Sequence, residues 1–192
     1  MDILTQNDVA GEYPLSYYAA TTKVLPRMDC LNEDLVCDVC VVGGGYTGIS
    51  TALSLSEHGY SVILLEAHRV AFGASGRNGG QVCSGQRWDV INLKESFGLE
   101  RARILWRIGE DAKREVLDRI QKHEIKCDYV PGIIHAELKD RSLKRAMLEV
   151  EQLEFEHDYT KIEYLDKTKI KSLLGTQKYV GGTLDMGAGH LN

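Results

Sequence analysis

Apolar and polar positions along the chain mark an alternation of strands and helices behind a polar lead-in. Residues 1–34 are mixed, with Pro14 and Pro26 as breakers and Ser16-Tyr17-Tyr18-Ala19-Ala20 as a short helical stretch. They read as an arm that packs on the main domain. From Val36 to Val42 the chain is β-branched and apolar and runs into three glycines. An apolar run without alternation is the pattern of a parallel strand covered on both faces. Tyr46 to His58 follows, with Ile49, Ala52, Leu53 and Leu55 at helical spacing and Gly59 where a helix C-terminus wants a glycine. Ser61 to Glu66 is a second apolar strand. Strand, helix and strand within about 30 residues form a βαβ unit, whose strands are parallel neighbours.

Residues 67–87 are rich in Gly, Ser, Asn and Arg, and no periodic element fits them. A loop of that length in a compact domain is usually functional or disordered. A long helix is predicted from Leu99 to about His123, with Leu105, Ile108, Gly109, Ala112, Val116 and Ile120 as its apolar stripe. Tyr129 to Leu138 reads as two short strands around a Pro131-Gly132 turn. Arg141 to His157 is a second amphipathic helix, with Leu143, Met147, Val150 and Leu153 on one face. Ile162–Leu165 is a strand, Asp166–Leu174 a helix opened by its aspartate, and Tyr179–Leu184 a last strand.

Composition narrows the function classes. With 192 residues, 43% of them hydrophobic and 27% charged, the chain can bury a core of ordinary globular kind. A net charge of −5, with basic and acidic residues interleaved, offers no footprint for nucleic acid or an anionic membrane. The first eight residues have neither the basic nor the apolar region of a secretory signal, and no apolar run reaches the length of a transmembrane helix. A cytoplasmic location is the resulting expectation. Five cysteines at irregular spacing do not resemble a secreted disulfide framework. Cys37 and Cys40 match C-x-x-C, but in a strand they point to opposite faces about 10 Å apart, too far for a disulfide. No second pair completes a zinc site, so no metal is expected.

Gly43-Gly44-Gly45-Tyr46-Thr47-Gly48 fits G-x-G-x-x-G, and its context makes the match informative. It follows a strand, opens a helix, and Glu66 ends the next strand 18 residues after Gly48. Gly43 permits the tight turn, Gly45 lets a pyrophosphate reach the backbone, and Gly48 lets the helix close on the sheet. The helix N-terminus offers unpaired N–H groups to phosphates. A carboxylate at Glu66 suits ribose hydroxyls and disfavours a 2′-phosphate. These features do not separate FAD from NAD. The loop Gly73-Ala74-Ser75-Gly76-Arg77-Asn78-Gly79-Gly80-Gln81 is too polar for core. It suits backbone approach to a large flat ligand, with Arg77 to neutralise phosphate charge and Ser75 and Asn78 to hydrogen-bond; a solvated loop has the same composition.

Three segments together, Val41–Gly48, Leu65-Glu66-Ala67 and Phe72–Gly80, resemble the D-amino-acid oxidase and glycine oxidase superfamily of flavoenzymes. Within it the likeness is to members that oxidise γ-glutamylputrescine. Ser16–Ala20, Cys37–Val42 and Gly187–Asn192 share that likeness, which spans nearly the whole chain. The resemblance implies an FAD cofactor held by Gly43, Gly45, Tyr46, Thr47, Gly48, Glu66, Ala67, Ser75, Gly76, Arg77, Asn78, Gly79 and Gly80. It also implies oxidation of a small-molecule amine, with hydride passing to flavin N5, the imine hydrolysing to aldehyde and ammonia, and oxygen reoxidising the flavin. Such a role belongs to putrescine catabolism. Some relatives tether the flavin through a histidine at the place of Arg77-Asn78, so non-covalent FAD is expected there.

The expected fold is α/β: a partial FAD-binding Rossmann-like (βαβ) domain with the start of an α+β substrate domain. Its parts are an arm over residues 1–34, an FAD-binding portion over 35–125 and the opening, truncated part of a substrate or cap domain over 126–192. Family members run to about twice this length, which raises a missing C-terminal half or a second chain as partner. Two other readings stand beside amine oxidation. One is a catalytically incomplete remnant or half of a split enzyme; the other is an NAD-dependent dehydrogenase. His190 is a candidate flavin or substrate contact and equally a structural histidine. Trp88 and Trp106 read as packing residues. No catalytic acid, base or nucleophile is assigned.

Overall fold

A computed structural model describes residue 9 and residues 11–192. The first eight residues, read above for a secretory signal, lie outside the described residues. The chain divides between Gly79 and Gly80 into two compact units.

The first unit opens with the arm. Its short helix α1 (Tyr17–Thr21) is capped by Ser16, whose hydroxyl accepts from the Ala19 N–H at 3.2 Å. Then come β1 (Val39–Val42), α2 (Tyr46–Glu57) and β2 (Val62–Leu65). The two strands are parallel, Val39 opposite Val62 through Val42 opposite Leu65. Gly59, just past the end of α2, takes φ +86°, the left-handed conformation its position called for. The strands are not covered on both faces as the apolar run predicts. No residue of β1 or β2 is buried, and Val42 keeps 83% of its surface. A two-stranded sheet crossed by a single helix has only one face covered, whatever its sequence.

The second unit is built around its last strand, β6 (Gly181–His190). β4 (Val130–Glu137) pairs antiparallel along one edge of it, from Val130 opposite His190 to Glu137 opposite Gly181. The other edge takes β5 (Ile162–Leu165), then β3 (Gln81–Val82), both antiparallel. Four helices accompany the sheet: α3 (Val90–Phe97), α4 (Leu99–Lys122), α5 (Asp140–His157) and α6 (Lys167–Leu174). Val90, Trp106, Leu153 and Tyr159 form the core cluster, with Ile162 packed against it. Asp166 caps α6 as expected, accepting from the Lys169 N–H at 2.7 Å. Asp89 caps α3 in the same way, a helix the periodicity did not reveal.

Three expectations are corrected here. Pro131-Gly132 does not turn the chain; β4 is one strand with a register shift between Pro131 and Ile133, where Gly132 takes φ +101°. A bulge, not a hairpin, uses that glycine. β6 runs six residues past Leu184, through a Gly-rich stretch of low strand propensity. Gly187 and Gly189 are occupied from outside: a Cβ on them would meet the Tyr159 and Tyr129 hydroxyl oxygens at 2.2 and 2.4 Å. Finally, α4 buries Ala102, Trp106 and Lys113, while Ile108 and Val116 are exposed. The buried stripe is rotated from the predicted one because Gly109 sits on Gly85, whose carbonyl oxygen lies 2.4 Å from where a Cβ would stand. That brings a lysine inside.

Lys113 is accommodated by a polar network. Its ammonium donates to Ser84 Oγ at 2.6 Å, pairs with Glu110 at 2.9 Å and lies 5.2 Å from the centre of the Tyr159 ring. Tyr159 donates to the buried Asp185 carboxylate at 2.5 Å, and Gly187 N–H donates to the same oxygen at 2.9 Å. Burial, then the bond to Asp185, pushes the Tyr159 phenol well above its usual range, so it stays a donor. All five cysteines are free. Among the described residues no helix is long and apolar enough to cross a membrane.

Two outcomes are expected. Tyr159→Phe leaves Asp185 short of a buried donor and lowers stability by about 1–3 kcal/mol in urea unfolding. His157 is tilted against Trp106, and neither of its ring nitrogens has a hydrogen-bond partner. Burial, helped by Arg103 and Lys94 against Glu156, lowers its pKa from 6.5. The unfolded chain therefore takes up this proton first, so stability is full above pH 6.5 and falls as pH drops below it. His157→Phe flattens that acid-side loss in unfolding curves across pH.

Candidate cofactor-binding site

The glycine turn joins β1 to α2 by backbone alone. Gly43 takes φ +106° and its N–H donates to the Leu65 carbonyl at 2.7 Å, carrying the ladder into the turn. Gly45 is the N-cap of α2, with no side chain to occupy the helix end. A Cβ on Gly48 would stand 1.8 Å from the Gly43 carbonyl oxygen and 3.5 Å from Val41 Cγ1. The first turn of α2 thus rests directly on the glycine turn.

Glu66 closes on this turn from β2. One carboxylate oxygen accepts from Gly44 N–H at 2.6 Å, the other from His68 N–H at 2.9 Å. Each oxygen has a second acceptor position, so the anchored carboxylate can still receive hydroxyl donors. Ala67 follows, exposed.

The Gly-rich loop lies across the start of α2. Ala71 N–H donates to the Gly44 carbonyl at 2.8 Å. Ser75 Oγ accepts from the Tyr46 N–H at 3.1 Å and lies 2.9 Å from where a Cβ on Gly45 would be. Asn78 donates to the Tyr46 hydroxyl at 2.9 Å and to the Ala74 and Ser75 carbonyls. Ala74–Gly76 is a single 3₁₀ turn; a Cβ on Gly76 would meet the Ala71 carbonyl oxygen at 2.2 Å. Arg77 Nε donates to the Phe72 carbonyl at 2.8 Å, with the guanidinium 4.6 Å above that ring.

Gly43, Gly45, Tyr46, Thr47, Gly48, Glu66, Ala67, Ser75, Gly76, Arg77, Asn78 and Gly79 therefore fall in one compact unit. Gly80 begins the second, at φ +70°, with its carbonyl accepting from Leu191 N–H at 2.9 Å. His190 lies on β6 opposite Gln81 and Val130. Trp106 is core, and Trp88 stacks on Phe97 at 6.1 Å between centroids. Sequence reasoning gave His68 no partner and Phe72 no contact; their rings stack at 4.1 Å with 3° between planes. The only signal was one aromatic residue in a polar loop. No cluster of three or more metal-ligating side chains occurs among the described residues. Burial first, then Asp185 against Lys113, pushes the Cys83 thiol up, so it is no activated nucleophile.

The residue set fits a dinucleotide. Glycines stand where side chains would block the helix end, amides surround the turn, and an anchored carboxylate sits beside it. A family model described as FAD dependent oxidoreductase matches residues 38–192. The chain belongs to that family. Gamma-glutamylputrescine oxidoreductase of Escherichia coli K12 is 41% identical over 182 residues, covering 94% of this chain and 42% of the relative. The chain thus spans less than half the length of this relative. L-amino acid deaminase from Proteus myxofaciens, solved with anthranilate, shares the fold at TM-score 0.62 and 24% identity, covering 89% of this chain and 36% of that one. Glycine oxidase from Geobacillus kaustophilus does so at TM-score 0.62 and 16% identity, covering 81% and 40%.

Gly48→Ala drives a methyl group into the Gly43 carbonyl. It should destabilise the βαβ unit by about 1–3 kcal/mol, seen as faster amide exchange in α2.

Proposed function

We propose that the chain is the cofactor-binding front of an FAD-dependent enzyme that oxidises small-molecule amines. The observation that carries this is the glycine turn with Glu66 bound to one of its amides and the Ser75–Asn78 loop bound to the helix it opens. On this reading the N–H groups at the start of α2 hold the pyrophosphate, and Arg77 contributes positive charge to it. Glu66 holds the ribose hydroxyls of the adenosine half and repels a 2′-phosphate. Ser75, Gly76, Asn78 and Gly79 run alongside the cofactor toward its flavin, with Gly80 at the far end of that run. The loop favours FAD over NAD, since a bare glycine turn with its acidic residue would suffice for either. Residues 35–125 are assigned to FAD and 126–192 to the start of the substrate domain.

Bound FAD would supply a hydride acceptor, at N5, for a carbon next to an amine nitrogen. This chain's own part is to bind and orient that group. The name of the Escherichia coli relative points to γ-glutamylputrescine as the amine to try first.

The test is an absorbance titration of the protein with FAD, followed by anaerobic addition of γ-glutamylputrescine. Flavin bands that bleach with the amine are the expected result. Glu66→Gln weakens FAD binding by about tenfold through loss of charge-assisted hydrogen bonds. Gly45→Val abolishes it by filling the helix end. Full FAD retention by Gly45→Val overturns the placement. Bound flavin that no amine bleaches favours a remnant or split enzyme, and binding of NAD without FAD favours a dehydrogenase.

A further inference from the structure

The arm lies outside the matched family model, which begins at residue 38. It nonetheless grips the first unit at one place. Gly11 N–H donates to His68 Nδ1 at 3.3 Å, and the Tyr13 hydroxyl donates to the Val70 carbonyl at 2.7 Å. Between these contacts the Arg69 guanidinium lies 4.6 Å over the Tyr13 ring and donates to the Leu25 carbonyl. Arg27 closes the arm on itself by donating to the Gly11 carbonyl at 3.2 Å. Three successive residues, His68, Arg69 and Val70, are thus held by the arm. They are the residues immediately after Glu66 and Ala67.

Their position gives the grip a consequence. His68 N–H is one of the two backbone donors that orient the Glu66 carboxylate. Its ring stacks on Phe72, which in turn carries Arg77. Next to Val70, Ala71 stands at φ +59°, a left-handed conformation that costs a non-glycine residue about 1–2 kcal/mol and persists where its neighbours enforce it. Both polar atoms of the Val70–Ala71 peptide are engaged: the Ala71 N–H donates to the Gly44 carbonyl, and the Val70 carbonyl accepts from the Tyr13 hydroxyl. The arm also walls a cleft of about 910 Å³ whose lining includes Arg27, Asn32, Glu66 and His68. That volume is in the range of small-molecule ligand sites.

We propose that residues 11–35 form a strap that fixes the turn after β2 so that Glu66 meets the adenosine ribose, and thereby sets the affinity for the nucleotide half of FAD. Tyr13 on the strap and His68 on the turn it holds are the positioning residues. The proposal rests on the FAD reading above and adds to it the part of the chain that tunes cofactor retention. A strap of this kind acts on the nucleotide end and leaves the flavin end alone.

The test measures dissociation constants of the protein for FAD and for ADP, which carries the nucleotide half only. Tyr13→Ala removes both the hydroxyl and the ring beneath Arg69. It should weaken FAD and ADP by the same factor, about tenfold, while the absorbance envelope of the loaded flavin is unchanged. Tyr13→Phe keeps the ring, folds as the parent does, and should show a smaller loss in the same direction. In a Glu66→Gln background the effect of Tyr13→Ala should shrink to less than about twofold, because the strap acts through that carboxylate. Wild-type affinity in both Tyr13 variants overturns the strap. So does a loss of equal size with and without Glu66, which is the mark of a general stability effect. If the wild-type protein binds neither FAD nor ADP, the FAD reading itself fails and the strap with it.

Discussion

The close approach of α2 to the Gly43 carbonyl is the constraint on which the first unit depends. A glycine inside a helix is unfavourable by about 1 kcal/mol relative to alanine. Gly48 is nevertheless the residue that fits, because the space for a side chain is taken by a carbonyl 1.8 Å from the Cβ position. That approach places the amide end of α2 beside the end of β2. Glu66 can then reach Gly44, Ala71 can reach the same residue's carbonyl, and Ser75 can reach Tyr46. Moving the helix outward by the radius of one methyl group would lengthen the Ser75–Tyr46 bond, which is made by the first residue of α2.

The second unit solves a related problem with side chains. β6 is rich in glycine, which weakens a strand by leaving nothing to pack. Tyr159 and Tyr129 lie over Gly187 and Gly189, supplying from neighbouring segments the bulk that the strand lacks. Asp185, two residues before Gly187, accepts the Tyr159 hydroxyl, and Ser84 joins it to Lys113. A buried ammonium would be costly alone; with Glu110, Ser84 and the Tyr159 ring around it, the group is satisfied. The network ties α4, the segment after β3, the segment before β5, and β6 through charge and hydrogen bonds. The helix face that carries Lys113 is consequently an interior face.

This explains what was legible in the sequence. The βαβ unit could be read because its signals are local: an apolar run, three glycines, a helical period, a second run and an acidic end. The short helix α1 and the cap of α6 were legible for the same reason. What failed depended on distant partners. The stripe of α4 was misread because Lys113 counts as polar until Glu110 and Ser84 are beside it, and because Gly109 is small for the sake of Gly85. The length of β6 was misread because its glycines gain strand character only beneath tyrosines from elsewhere. α3 was overlooked because its eight residues lie behind a loop whose composition dominated the reading. The Gly-rich loop after β2 was legible as composition, yet which of its residues bond to the helix end was not.

Glu66 shows why backbone conformation matters more here than any one side chain. Its two oxygens are set by amides of Gly44, in the glycine turn, and of His68, two residues further along its own segment. A carboxylate held that way would need little reorganisation on taking a hydroxyl donor such as the proposed ribose, so less conformational entropy would be lost on binding. The arrangement transfers the burden to the chain that carries those amides. Gly44 is fixed by the helix contact behind it. His68 has no such element and sits in a turn that leads into a left-handed alanine. Its order comes from what packs on the turn: the Phe72 ring, the Ala71 bond to Gly44, and the arm through Gly11 and Tyr13.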